Sequence, residues 1–211
     1  MMEKRKNESK KDIILYNFIK ENKKYKNSWD VKKTENKIIQ SILDKSSKKK
    51  NGNRGEPDLV YINEAEKLLI LLENKDTIKQ HKSKLEDNPE DYAVDGVKHY
   101  LSFVKNDYLK NLSIPTQKYL KNWKFVGIAV SGNILDPYSH LISNFIISKN
   151  DVKDIETSEI LNEEDYLSFF ENVDMEKLIR DISESSKKIN NKLRSLDSQK
   201  RPVLLSGLMI C

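Results

Sequence analysis

From Asp12 onward, apolar residues recur at helical spacing, and the first elements follow from that rhythm. Ile14, Phe18 and Ile19 predict a helix over Ile13–Lys23. Ile38, Ile39, Ile42 and Leu43 form a stripe that predicts a second over Lys33–Lys45, with Glu35 one turn earlier on the same face. Residues 1–11 are mostly charged and are expected to be a disordered basic tail. SSKKKNGNRG, residues 46–55, is a polar, glycine-bearing loop.

The pattern then becomes extended. Asp58-Leu-Val-Tyr-Ile62 follows Pro57, and Leu68-Leu-Ile-Leu-Leu72 is an unbroken apolar run. Together they predict a hairpin or two adjacent strands, the second buried on both faces. No clear strand precedes Pro57, so the sheet is expected to open on a short or irregular segment. Val94, Val97, Leu101 and Val104 predict a helix over Asp91–Lys105. WKFVGIAV (residues 123–130) and LISNFIIS (residues 141–148) predict two more strands. The order implies an α/β fold, a mixed sheet flanked by helices. A main domain over 12–150 is expected, followed by a helical connector over 151–211. In that connector Met175, Ile182, Ile189 and Leu196 fall seven apart, with Ile179 and Leu193 extending the seam, as for a helix laid along another helix. Ser185, Ser186 and Lys192 interrupt it. The closing RPVLLSGLMIC reads as the start of a following domain, or alternatively as a terminal element tucked into the core.

Charge adds an asymmetry. Residues 1–55 hold 17 Lys/Arg against 7 Asp/Glu, a net of +10, within a 211-residue chain whose total is +5. A basic arm on a mildly acidic body suits a polyanion, because each cation that neutralises a phosphate releases counter-ions. A solvated tail is the alternative for the first ten residues. One cysteine, Cys211, excludes an internal disulfide framework and a cysteine-based zinc cage, which points to a reducing, cytoplasmic setting. No apolar stretch is long enough for a membrane span, and the basic start lacks the apolar core of a secretory signal.

The candidate chemistry lies in Pro57-Asp58 and, after fourteen intervening residues, Glu73-Asn74-Lys75. Two carboxylates at the ends of adjoining strands can grip a hard cation such as Mg²⁺. Glu73 and Lys75 are two apart on an extended chain, so they share a face. A metal on Asp58 and Glu73 would then lie beside the Lys75 ammonium, with the Asn74 backbone carbonyl as a further oxygen ligand. The alternative is a solvated strand-end salt bridge between Glu73 and Lys75. Glu35 is a candidate third carboxylate, or alternatively an N-terminal helix charge favoured by the macrodipole.

The run GNRGEPDLVYINEAEKLLILLENKDTIKQHKSK, followed by EDYAVDGVKHYLSFVK and WKFVGIAVSGN, resembles the N-terminal nuclease region of type IIG and type I-like restriction–modification enzymes, which fuse a nuclease to an N6-adenine DNA methyltransferase. The resemblance covers about Lys33 to Lys149. It implies a PD-(D/E)xK core of αβββαβ outline and Mg²⁺-dependent hydrolysis of DNA phosphodiesters, with Mn²⁺ able to substitute. It also implies Asp58, Glu73 and Lys75 as the catalytic set, and Glu35 as the less securely matched helix glutamate. His81, Asp95 and Tyr100 sit where such enzymes carry polar residues that contact phosphate or support the site. Asn74 departs from relatives that have a small residue there.

Other motifs are missing. Asp136-Pro-Tyr138 lacks the second proline of an adenine-methylation tetrapeptide, and no phosphate-binding loop is present. His81, His99 and His140 lack metal-ligand spacing, and Asp95 and His99 stand i, i+4 as an expected pair. Lys48, Lys49, Lys50 and Arg54 are candidate DNA contacts. The expected partners are double-stranded DNA, a methyltransferase and specificity portion, and a transient second copy, with no membrane. A catalytically inert nucleic-acid-binding or assembly module, or an RNA-directed nuclease, are the competing readings.

Overall fold

The computed structural model describes residues 2–48, 55–105, 109–148 and 150–194. It divides into two compact units, residues 1–167 and 168–211. The first is built on a six-stranded mixed sheet flanked by helices.

Helix α1 runs over Met2–Asn22, so residues 2–11 belong to a helix and not to the disordered tail expected of them. The segment is polar but contains no Gly or Pro, and its Lys, Glu and Arg are good helix formers. Asp12, Leu15 and Ile19, at three- and four-residue spacing, are the buried stripe of this helix.

Strand β1, Trp29–Val31, is the short opening segment. Helix α2 covers only Lys37–Leu43, shorter than the stripe predicts. The reason is Asn36, whose side-chain oxygen accepts from the N–H groups of Ile38 and Ile39 at 3.1 and 3.0 Å and so fixes the N-terminus. Glu35 therefore lies ahead of the helix and is exposed.

β2 (Leu59–Asn63) and β3 (Leu68–Lys75) form the expected hairpin, antiparallel with Leu59 opposite Leu72. A 3₁₀ turn, Ile78–Gln80, and helix α3, Ala93–Ser102, follow. Helix α4, Ile114–Leu120, carries Pro115 in its first turn, where a missing N–H costs no helical bond. β4 (Lys124–Gly132) then pairs parallel to β3, with Glu73 opposite Ala129 and Lys75 opposite Ser131. β5 (His140–Ser148) runs antiparallel to β4.

The segment after residue 150, read from the sequence as a helical connector, does not begin as a helix. Strand β6, Asp151–Ile155, pairs antiparallel with β5 and carries the sheet beyond that boundary. Its alternation is masked by Asp151, Lys153 and Asp154, polar residues that suit an edge strand. Helix α5 spans Glu163–Arg194. Leu193 lies in its last turn, its side chain outside the described residues; Leu196 and the closing RPVLLSGLMIC lie wholly outside them. In α5, Ile179, Ile182 and Ile189 are exposed.

β3 is buried on both faces from Leu68 to Glu73. Its odd-numbered side chains, Leu69 and Leu71, join a core built with α2, α3 and Val60 of β2. Gly127 lets α3 approach, because a Cβ there would stand 2.3 Å from Val97 Cγ1. α1 also lies against β3.

Candidate metal centre

The sheet brings Asp58 and Glu73 together at one end. Asp58 immediately precedes β2, and its N–H donates to the Leu72 carbonyl at 3.0 Å, which places it opposite Glu73 across the hairpin. By the same alternation that buries Val60, Leu69 and Leu71 in one core, Asp58, Glu73 and Lys75 share the face covered by α3. The Asp58 Oδ2 accepts the Asn74 N–H at 2.7 Å. A residue's N–H and C=O leave a strand on the same side, so the Asn74 carbonyl faces the Asp58 flank.

Glu73 is 1% exposed. Its Oε1 accepts from Lys48 Nζ at 2.7 Å. Its Oε2 makes no hydrogen bond among the described residues, and Lys75 Nζ stands 3.9 Å away. The Lys75 ammonium donates instead to the Glu90 carbonyl at 2.7 Å. Room for Oε2 comes from Gly96 of α3, where a Cβ would lie 3.2 Å from that oxygen and 3.1 Å from Glu73 Cγ.

Electrostatics mark the spot. Withdrawal from water, then the neighbouring Glu73 and Asp12, hold the Asp58 carboxyl well above the usual carboxylate range, against the opposing pull of Lys48 and the Asn74 N–H. Three acids thus crowd one place. Asp12, buried on α1, accepts from the Asn74 side-chain amide at 3.3 Å. It occupies the helix position for which Glu35 was the sequence candidate. The signal was present, since Asp12 falls on the stripe of Leu15 and Ile19. Tyr100 is fully buried beside the site; its hydroxyl is driven above the usual tyrosine range by burial, then by Glu73 and Asp58.

Lys48, expected on a DNA-facing loop, points inward, with its Nζ 5.1 Å from the Tyr100 ring centroid as well as on Glu73. Lys49, Lys50 and Arg54 lie outside the described residues. The expected Asp95–His99 pair does not form. Asp95 instead accepts from the Ser83 N–H at 3.2 Å, the Ser83 hydroxyl, and the Asn88 N–H at 2.9 Å, which organises the loop before α3. His99 donates from Nε2 to the Ser46 carbonyl at 3.1 Å. His81 bridges two strands, with Nδ1 2.8 Å from Ser131 Oγ and Nε2 2.9 Å from Ser143 Oγ.

Among the described residues no three His, Cys, Asp or Glu form a ready-made ligand set. The donors nonetheless fit a hard cation: two carboxylates, one with a buried oxygen that makes no hydrogen bond, and a backbone carbonyl on the same flank, with water to complete the shell. Comparison with protein-family models, with curated proteins and with solved structures finds no match to this chain.

Proposed function

We propose that the chain is the nuclease portion of a restriction–modification enzyme, a PD-(D/E)xK domain that hydrolyses DNA phosphodiesters with Mg²⁺, or with Mn²⁺ in its place. The order α1–β1–β2–β3–α3–β4, with β4 parallel to β3, is compatible with the αβββαβ outline, α2 and α4 being insertions. Asp58 heads β2, and Glu73 and Lys75 close β3, the positions that outline requires. The observation that carries the reading is the buried Glu73 with an oxygen that makes no hydrogen bond, beside an Asp58 whose ionised form is held costly. Such a pair gains most from a divalent ion.

Asp58, Glu73 and the Asn74 carbonyl are the residues that would hold the ion, with Asp12 adding negative charge behind them. Bound there, Mg²⁺ supplies an acidified water and offsets charge developing on phosphate. Lys75, able to leave the Glu90 carbonyl, orients the attacking water at Nζ and favours its hydroxide form. Water adds across one P–O bond, leaving a phosphate on one fragment and a hydroxyl on the other. Tyr100, buried beside the site, and the close-packed backbone of Gly96 keep bulk water from Glu73. Since one site cuts one strand, double-strand cleavage takes two copies meeting on DNA, and the target sequence comes from a methyltransferase and specificity portion. No helix among the described residues is long and apolar enough to cross a membrane. A cytoplasmic setting belongs to the same proposal.

The Lys48–Glu73 ion pair favours a second reading, an inert DNA-binding or assembly module in which an ammonium has replaced the metal. Incubation of plasmid with the purified chain in Mg²⁺ or Mn²⁺, beside Asp58→Ala and Lys75→Ala, separates the two. Cleavage by the wild type alone supports the nuclease. Equal nicking by all three, or none by any form including the full-length protein, removes it.

A further inference from the structure

Lys48 enters the centre from outside the two strands that carry the acids. Resting on the nuclease reading above, we propose that its ammonium is an exchangeable place-holder for the divalent ion, seated on Glu73 until metal arrives and then released toward the phosphate of the bound DNA.

The pairing is that of a place-holder. A carboxylate 1% exposed cannot stand uncompensated, and Lys48, its own side chain only 16% exposed, supplies the missing charge at 2.7 Å. The match is incomplete, because an ammonium satisfies Oε1 and leaves Oε2 without a hydrogen bond. Lys75 does not fill the gap, being 3.9 Å from Oε2 and engaged with the Glu90 carbonyl. Here the Lys48 ammonium donates to Glu73 and reaches Asp58 by charge alone, whereas a divalent ion on the same flank can be ligated by both acids at once.

The turn that leads into Lys48 is tied down on its described side. Two residues before Lys48, the Ser46 carbonyl accepts from His99 Nε2 at 3.1 Å, and Ser46 Oγ donates to the Leu43 carbonyl at 2.8 Å. Gly55 closes against the same turn, its N–H on the Leu43 carbonyl at 3.1 Å. With the backbone held at Ser46, the four-carbon stem of Lys48 gives its ammonium the reach to leave Glu73. Off Glu73, the ammonium meets the region a scissile phosphate must occupy, and lysine binds phosphate as a point charge. Lys48 is thus a positioning residue that couples metal entry to DNA.

The test is Mn²⁺ titration of the full chain, by calorimetry and by the electron spin resonance of free Mn²⁺, comparing wild type with Lys48→Met and Lys48→Gln. Thermal melts with and without Mn²⁺ accompany the titration. Lys48→Met should melt lower in chelator, recover with Mn²⁺, and bind Mn²⁺ about tenfold more tightly near neutral pH. Lys48→Gln keeps an amide donor to Glu73 and reports the same direction should the methionine variant fold poorly. Unchanged or weakened Mn²⁺ affinity in variants of a metal-binding wild type overturns the place-holder and leaves the nuclease standing. Absence of Mn²⁺ binding in every form overturns both.

Discussion

The Asp58 carboxylate accepts the backbone N–H of Asn74 at 2.7 Å, so one acid of the pair is held by the residue that directly follows the other. The two carboxylates are therefore positioned by a single strand end, and their repulsion is built in. Asp58→Asn keeps an oxygen acceptor for that N–H and removes the charge. Its melting temperature without metal should rise by a few degrees, roughly 2–5 °C, while Mn²⁺ binding and cleavage disappear. A variant that melts lower than wild type and still binds Mn²⁺ would contradict this account.

Proton linkage follows from the same residue. Burial, then Glu73 and Asp12, raise the folded-state affinity of Asp58 for its proton above that of an unfolded aspartate. The corresponding contribution to stability is fully present below the ordinary aspartate range and is lost as pH rises through the raised folded value. Metal binding must expel that proton, so calorimetry in buffers of different ionisation enthalpy should detect proton release that diminishes with rising pH. In Asp58→Asn any residual metal signal should lack it.

At Gly96 the helix α3 backbone passes close enough to Glu73 that a methyl group would meet Oε2 at 3.2 Å. Gly96→Ala improves helix propensity by about 1 kcal/mol, so stability should change little. Mn²⁺ affinity and cleavage should nevertheless fall by about tenfold or more, because the carboxylate is displaced by a few tenths of an ångström. Wild-type Mn²⁺ affinity in a folded Gly96→Ala protein would show that Glu73 does not set the site.

His81 joins β4 to β5 through the hydroxyls of Ser131 and Ser143. Burial first, and Lys82 second, lower its pKa below the ordinary 6.5. A neutral ring can donate to one serine and accept from the other. The depressed pKa means this stabilisation is present above about pH 6.5 and is lost as pH falls toward the folded value. Urea unfolding of His81→Ala should show a loss of about 1–3 kcal/mol at neutral pH and a flatter profile between about pH 5 and 7.

A buried carboxylate away from the candidate centre offers a control. Glu163, 1% exposed, accepts from Tyr61 Oη at 2.6 Å, Asn63 Nδ2 at 2.5 Å and the Lys26 N–H at 2.8 Å. Glu163→Gln should cost about 1.5–3 kcal/mol by urea unfolding, since it trades charge-assisted bonds for neutral ones and turns an amide toward Asn63. Mn²⁺ affinity per folded molecule should be unchanged. Parallel loss of both would tie this cluster to the centre.

The hairpin and the pairing of its acids were legible because an unbroken apolar run of five ends on Glu73, and because Lys75 returns to the same face two residues later. The α/β class followed from the alternation of helical and extended patterns. What escaped the pattern did so for local reasons. Asn36 cuts α2 short by a side-chain cap, which moved Glu35 off the helix. β6 is an edge strand whose exposed positions are charged, so its sequence resembles a loop. Helix α1 extends through residues too polar to signal burial. The seat of Lys48 has no one-dimensional signature, since it depends on contacts of Ser46 with His99 and Gly55, both separated from it in the sequence.

The parallel pairing of β3 with β4 governs when the candidate centre is completed. The acids, Lys48 and Lys75 all precede residue 76, yet β3 stays an open edge until residues 124–132 arrive across a long crossover. Hairpins form quickly and locally, whereas such distant parallel contacts form late. A growing polypeptide therefore carries every side chain of the candidate centre well before it has a rigid floor to mount them on, so the order of assembly itself delays completion of that centre until β4 has docked.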